Sequence, residues 1–414
     1  KIFLYDLGFI TNPKNGRVKA LSKACLDRTY CLPFVCNRCI ICVMTNTVAL
    51  QKCYEYNFEE VYKSIISLLE LVPPPDFKGK TVLLKPNILY PKKPELAVCT
   101  HPVVVGAAVK AFVDKGAGKV LVGEAPAIAN STHAAKTVGM YDQVVANGGE
   151  WADFSKSVEV PCPDGKIVKK FNFAEPFLQA DLVVSLSKLK THQFMSYTGA
   201  MKNLFGLMVG LEKAEQHYRF PNKETFGEFL TDLNVTAKAQ YGIMDAIVGM
   251  DGPGGPGSGN PIKLNFLAAS DNILALDWKC ASLVGYNPHR IPNLESALKR
   301  GVWLSSEKDI TTVGENESNC KCPNFKIVKN PSKTLQIMIP GWVNFIAKKF
   351  FEKTPNFNPK KCVRCGRCKQ ICPAHIIELN GKNKTANLTD KSKCLHCFCC
   401  HEICPEDAIK LKRF

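Results

Sequence analysis

The run C-x2-C-x2-C-x3-C-P occurs twice near the carboxyl end of this 414-residue chain. No other feature restricts the fold so tightly. The first copy, CVRCGRCKQICP, supplies Cys362, Cys365, Cys368 and Cys372. The second, CLHCFCCHEICP, supplies Cys394, Cys397, Cys400 and Cys404. Such a repeat predicts two [4Fe–4S] cubanes in one small fold, where three cysteines of each run wrap one cluster and the fourth ligates the other. Cys362, Cys365, Cys368 and Cys404 are therefore expected to hold one cluster, and Cys394, Cys397, Cys400 and Cys372 the second. The pairs Ile376–Ile377 and Ala408–Ile409 stand at the same place after each Cys-Pro, which marks an internal duplication. Zinc suits a tetrahedral set of four ligands, not two identical triplets each followed by Cys-Pro. The string CFCCH (397–401) matches a c-haem attachment site, but the duplication already claims its cysteines. Cys399 aligns with Arg367 and reads as a bystander beside the cluster. His396 and His401 read as surface groups or as hydrogen-bonding neighbours that tune the sulfurs.

Residues 360–414 resemble the bacterial two-cluster ferredoxins. That resemblance implies a compact pseudo-two-fold α+β domain that carries single electrons. Twenty cysteines clustered this way in a long chain point to metal in a reducing compartment, hence a cytoplasmic setting. The formal charge is +17, and two cubanes with their thiolates would lower it by about 4. A basic surface favours anionic partners, acidic redox proteins among them. The chain has no arginine-rich tract and no nucleic-acid motif, so nucleic acid is not an expected partner. No apolar run approaches the length of a membrane span.

Residues 1–43 hold Cys25, Cys31, Cys36, Cys39 and Cys42 but little periodicity. Met44 opens an orderly strand-then-helix segment, so 1–43 is read as a leader outside the folded protein. CNRCIIC (36–42) lacks the closing Cys-Pro and is the weaker candidate for a third cluster.

From 44 to about 300, strand and helix patterns alternate, which predicts an α/β domain with a mainly parallel layered sheet. Strands are expected at 47–53, 80–87, 119–126 and 180–192, and helices at 101–117, 132–147, 226–240 and 272–286. At the start of 101–117, Thr100-His101-Pro102 suggests a threonine N-cap with proline inside the start. Residues 301–359 read as an irregular region with a linker helix at 341–353. The C-x-C pair Cys320 and Cys322 is a weak metal or redox candidate.

The stretches LLKPNIL, CTHPVVV, VLVGEAP, SLSKLKTHQFMSYTGAMKNLFGLMVG and MDAIVGMDGPGG resemble the domain of unknown function 362 family, whose members are often fused to a two-cluster ferredoxin. The resemblance implies an iron–sulfur protein and supplies no reaction. The polar residues of these stretches fall where strands end, and parallel sheets bind ligands beyond their carboxyl ends. Lys85, Asn87, His101, Glu124, Lys190, His192, Lys202 and Asn203 are therefore expected to meet in one pocket. Such a set suits a small anion, with His101 or His192 as proton donor, or a single metal ion on His101, His192 and Glu124. Gly252, Gly254 and Gly257 spell G-x-G-x-x-G, but prolines and a strand follow where a dinucleotide site needs a helix. That stretch reads as a loop over the strand ends, with Asp251 near the same pocket. Two functions fit these expectations. One is an oxidoreductase that feeds or drains electrons at the pocket. The other is a non-catalytic ferredoxin module whose large domain docks to a partner oxidoreductase.

Overall fold

The computed structural model describes residues 45–329, 353–381 and 385–413. The expected leader with its five cysteines, and all but the last residue of the expected linker helix, lie outside the described residues.

The chain enters through β1 (Thr47–Lys52), α1 (Phe58–Leu71), β2 (Thr81–Pro86), α2 (Pro102–Asp114) and β3 (Lys119–Val122). Helices α3 (Ser131–Thr137) and α4 (Met140–Ala146) follow, then β4 (Glu150–Trp151) and the hairpin β5 (Ser157–Pro161) and β6 (Lys170–Ala174). Next come β7 (Leu182–His192), β8 (Ser196–Thr198), α5 (Ala200–Asn203), α6 (Glu212–Arg219) and α7 (Lys223–Ala237). The large domain closes with β9 (Tyr241–Asp251), β10 (Asn260–Ser270), α8 (Ile273–Leu283), α9 (Pro292–Arg300), β11 (Thr311–Gly314) and α10 (Glu317–Cys320).

Nine strands form one sheet in the order β11-β1-β10-β9-β7-β2-β3-β4, with β8 attached to β7. Every pairing along this order is parallel except the two made by β10. The strands send alternate side chains to opposite faces. Val82 and Leu84 of β2 join Val61, Ile65, Val104 and Phe112 of α1 and α2 in one core. Leu83 joins Leu230, Leu233, Leu274 and Leu294 of α7, α8 and α9 in the other. The result is a helix–sheet–helix sandwich, the mainly parallel α/β architecture that the alternating pattern predicts.

Three local expectations change. The single helix at 132–147 is two, because Gly139 breaks it at a φ of 76°. The N-cap of α2 is His101, not Thr100: its Nδ1 accepts from the Val103 amide at 3.3 Å. The Thr100 hydroxyl is already engaged, accepting from Asn87 N at 2.9 Å and donating to Leu186 O at 2.8 Å. The sheet also runs past residue 300, since β11 pairs in parallel with β1.

The carboxyl-terminal domain opens with β12 (Lys353–Phe357), followed by α11 (Arg367–Ile371), β13 (Ile377–Glu378), β14 (Asn387–Leu388), α12 (Cys399–Glu402) and β15 (Ile409–Arg413). β12 pairs antiparallel with β15, and β13 with β14. The duplication is visible in the backbone. Arg364 and His396 are left-handed, as are Gly366 and Phe398, and His375 and Asp407. Each pair is separated by the interval that relates Cys362 to Cys394. Phe398 and Leu411 of this domain pack into the core of the large one, and the described residues form one compact unit.

Candidate functional site

The eight duplicated cysteines border two small cavities. Cys362, Cys365, Cys368 and Cys404 line the first. Cys372, Cys394, Cys397 and Cys400 line the second. The last cysteine of each run thus sits with the first three of the other. Paired short helices and left-handed residues turn the chain around each cavity. The Ala408 amide points to the Cys404 sulfur at 3.2 Å. Successive amides in such turns create concavities that favour anionic sulfur. No three His, Cys, Asp or Glu side chains among the described residues gather as a site for a single metal ion. Four thiols spread around a cavity instead suit the corners of an iron–sulfur cube, so the donor sets fit that group. The same finding gives no single-ion site on His101, His192 and Glu124; Cys320 is buried in the core of the large domain, and Cys322 packs against it partly exposed. His401 is a tie rather than a sulfur neighbour: its Nδ1 lies 2.7 Å from Ile409 O, and its Nε2 lies 3.5 Å from the Ser258 hydroxyl of the large domain.

A third, larger cavity of about 120 Å³ lies between the two domains. β2 has β3 on one side and β7 on the other, so the strand order reverses there. Open α/β sheets bind ligands at such a reversal, beyond the carboxyl ends of the strands. Asn87 follows β2, Glu124 follows β3, and Lys190 lies near the end of β7, and all three line the cavity. Lys202 and Asn203 come from α5, and Lys213 and His217 from α6. Ile371, Cys399, Glu402 and Ile403 of the cysteine-rich domain form the opposite wall.

A buried amide network fixes the strand-end side of this cavity. Asn87 Nδ2 donates to Asn203 Oδ1 at 2.7 Å, and Lys188 N donates to Asn87 Oδ1 at 2.7 Å. Asn203 Nδ2 donates to Lys85 O at 2.6 Å. Lys85 does not line the cavity. It lies buried behind it, with its ammonium on Glu124, on Pro86 O at 2.7 Å and on Asn203 Oδ1 at 3.2 Å. Gly206 is packed against this pair, leaving no room for a Cβ beside Glu124 and the Lys85 ammonium.

Three further lysines, Lys190, Lys202 and Lys213, line the cavity. Lys190 donates to Val98 O at 2.6 Å, and Lys213 donates to Ala125 O. Burial lowers both to about 8 from the ordinary lysine value. Lys202 makes no hydrogen bond or ion pair among the described residues, and its ammonium lies 5.8 Å from the Phe205 ring. His217 stacks on Phe226 at 4.3 Å, and its Nδ1 is buried without a hydrogen-bond partner. Burial holds that imidazole neutral, down to about 3.

The two expected proton donors lie elsewhere. His192 sits behind the cavity wall, where its Nδ1 accepts from the Phe194 and Met195 amides at 3.1 and 3.2 Å. Its Nε2 lies 3.4 Å from Glu402 Oε1 across the domain boundary. His101 is further removed. It caps α2, stacks on Tyr56 at 3.5 Å, and belongs with the buried Lys188–Asp245 pair, whose atoms lie 2.5 Å apart. Asp251 also stays out of the cavity, accepting from the Lys326 amide at 3.0 Å. The glycine-rich loop after β9 does cover strand ends, and Gly257 packs directly on the backbone of Glu402.

Sequence reasoning missed Lys213, His217 and Glu402 as cavity residues. Lys213 and His217 stand four apart on α6 and so share one face, a spacing that marks the helix as a wall. Glu402 was masked by the cysteines around it.

Fold and thiol sets together define an iron–sulfur protein with a ferredoxin-type domain joined to an α/β domain. The profile described as "Domain of unknown function (DUF362)" matches residues 82–282, and that of a "4Fe-4S dicluster domain" matches 354–405. The thylakoid-associated protein sll1697 of Synechocystis sp. is 30% identical over 275 residues, covering 63% of this chain and 81% of that protein. The chain belongs to the DUF362 family. Among solved structures, the lactate racemase apoprotein of Thermoanaerobacterium thermosaccharolyticum is 15% identical with a TM-score of 0.34, over 56% of this chain and 55% of that one. A Thermotoga maritima protein is 10% identical with a TM-score of 0.29, over 48% and 52%. This chain spans about half the length of each, and both likenesses are too distant to bear on chemistry. No helix among the described residues is long and apolar enough to cross a membrane.

Proposed function

We propose that this protein exchanges electrons between two [4Fe–4S] clusters and a small anion bound in the cavity between its domains. Cys362, Cys365, Cys368 and Cys404 would hold one cluster, and Cys372, Cys394, Cys397 and Cys400 the other. When bound, such clusters supply one-electron redox chemistry. The observation that carries the reading is the dual role of α12. The helix contains Cys400, a member of the second thiol set, and presents Cys399 and Glu402 to the cavity.

Lys190, Lys202 and Lys213 supply positive charge for the anion, with Asn87 and Asn203 as amide partners. Lys202 contributes most, because its ammonium, unlike those of Lys190 and Lys213, has no hydrogen-bond partner among the described residues. His217 offers a neutral imidazole to the ligand. Lys85 and His192 act as positioning residues through Glu124 and Glu402. The alternative, a ferredoxin module whose large domain docks to an oxidoreductase, gives this lysine-lined cavity no role. A reducing, cytoplasmic setting belongs to the same proposal.

Anaerobic purification with iron and sulfide counts, EPR and mass spectrometry of bound small molecules tests it. About eight irons per chain are expected, together with a co-purified or titratable small anion. Stoichiometric zinc, or about four irons after full reconstitution, would refute the cluster assignment. A loaded protein that binds no small anion would favour the docking module.

A further inference from the structure

The two thiol sets differ in exposure: each has partly exposed thiols, but only the first has an exposed one. Cys365 is the exposed cysteine among those described, while Cys372 and Cys400 of the second set are buried. Around Cys365 the surface is basic with an apolar centre. Val363 is 60% exposed. Lys360, Lys361 and Arg364 flank it, are exposed, and form no ion pair among the described residues. Lys369 is exposed too, but Glu378 neutralises it at 2.7 Å. Arg367 is held over the Tyr90 ring of the large domain at 4.6 Å. The one carboxylate bordering the same thiol set is Glu406. Across residues 360–414, twelve Lys and Arg stand against five Asp and Glu, an excess that exceeds the charge of about −4 carried by two cubanes with their thiolates.

We propose that this face, centred on Val363 and Cys365, is the docking site of an acidic one-electron carrier protein. Lys360, Lys361 and Arg364 steer the carrier's carboxylates, and Val363 packs against its apolar centre. Complementary charge around a small apolar contact gives fast, salt-sensitive association of moderate affinity, which suits a carrier that must leave after each electron. The carrier loses one electron and the first thiol set's cluster gains it, or the reverse, with no proton or bond exchanged. The inference rests on the cluster assignment above. Nucleic acid is the weaker occupant: the solvent-facing centre of the face is a valine, which offers a base nothing to stack on.

The test compares two triple variants of the cluster-loaded full chain. Lys360→Glu/Lys361→Glu/Arg364→Glu reverses the face. Lys63→Glu/Lys136→Glu/Lys238→Glu makes the same charge change at exposed positions on the large domain. The probe is an acidic flavodoxin, with binding measured by titration calorimetry at low and high salt, beside iron and sulfide counts. The face variant should lose about tenfold or more in affinity at low salt, with the difference fading at high salt. The control variant should stay near wild type. Equal loss in both variants, no loss in the face variant, tighter binding of a DNA duplex than of flavodoxin, or self-association through this face would each overturn the docking site. A low iron count with wild-type flavodoxin binding would overturn the cluster assignment and leave the docking site standing.

Discussion

The two halves of the cysteine-rich domain share a backbone and differ in what surrounds it. Gly366 and Phe398 occupy the same left-handed position, at φ values of 76° and 66°. Glycine accepts that conformation without a steric penalty, whereas a side chain costs about 1–2 kcal/mol there. The second half tolerates the cost because the Phe398 ring is buried in the core of the large domain. Cys365 in the first half is exposed, while its counterpart Cys397 is partly buried. One duplicated unit has thus been adapted to water on one side and to a protein wall on the other. Ligand geometry stays with the repeat, and the neighbouring positions take on the work of each surface.

The strongest way to break this comparison is to remove one thiol from each half. Cys372→Ser should empty the second site although Cys372 belongs to the first run, and Cys404→Ser should empty the first. Each should reduce the iron count from about eight to about four. Cys399→Ser should keep all of it, because Cys399 faces the interdomain cavity. Iron analysis with EPR reads all three, and loss of iron in Cys399→Ser would remove the distinction between ligand and bystander.

A second change isolates the buried side. Phe398→Ala keeps a left-handed side chain but deletes the ring, and should cost about 3–5 kcal/mol, read by anaerobic denaturant unfolding. Within the cavity, Lys202→Ala should weaken the tightest binder from a panel of small carboxylates and phosphate by about tenfold or more, the worth of a charged hydrogen bond. Binding to the wild type should also depend on pH. Lys190 and Lys213 lose their protons near pH 8 instead of at the ordinary lysine value. Affinity should therefore be full well below pH 7, begin to fall as burial-raised Glu402, at about 7, becomes anionic, and fall further as pH rises through 8, by up to about tenfold per unit for each proton required. A flat profile from pH 7 to about pH 10, the ordinary lysine range, would mean that neither lysine holds the ligand. The smallest effect belongs to the exposed half. Gly366→Ala meets nothing closer than Leu379 at 3.9 Å, so its cost should be the backbone penalty alone, about 1–2 kcal/mol.

How much of this was legible in the sequence depended on whether neighbours in space were also neighbours in the chain. The thiol sets were readable because spacing and duplication are local. The parallel sheet was readable because alternating strands and helices are too. Strand ends pointed to Asn87, Glu124 and Lys190, and those residues do meet. The remainder rests on long-range partners. Asn87 and Asn203 are bonded across 116 residues, and the His192–Glu402 approach crosses from one domain to the other. His101 was misassigned because Thr-His-Pro offers two capping side chains, and the choice depends on what Asn87 and Leu186 do to Thr100. Lys213 and His217 lay on a short polar helix that looked like surface until a second domain covered it.

The exchange of the last cysteine between runs has a consequence for assembly. Cut off from its twin, either run would bring three thiols to its own cavity and leave its fourth with no companions. The halves are related by repetition, yet neither is a smaller copy of the whole. They resemble two links closed through each other, each completed by the other's last thiol. The least stretch of chain that completes either site is the pair of runs.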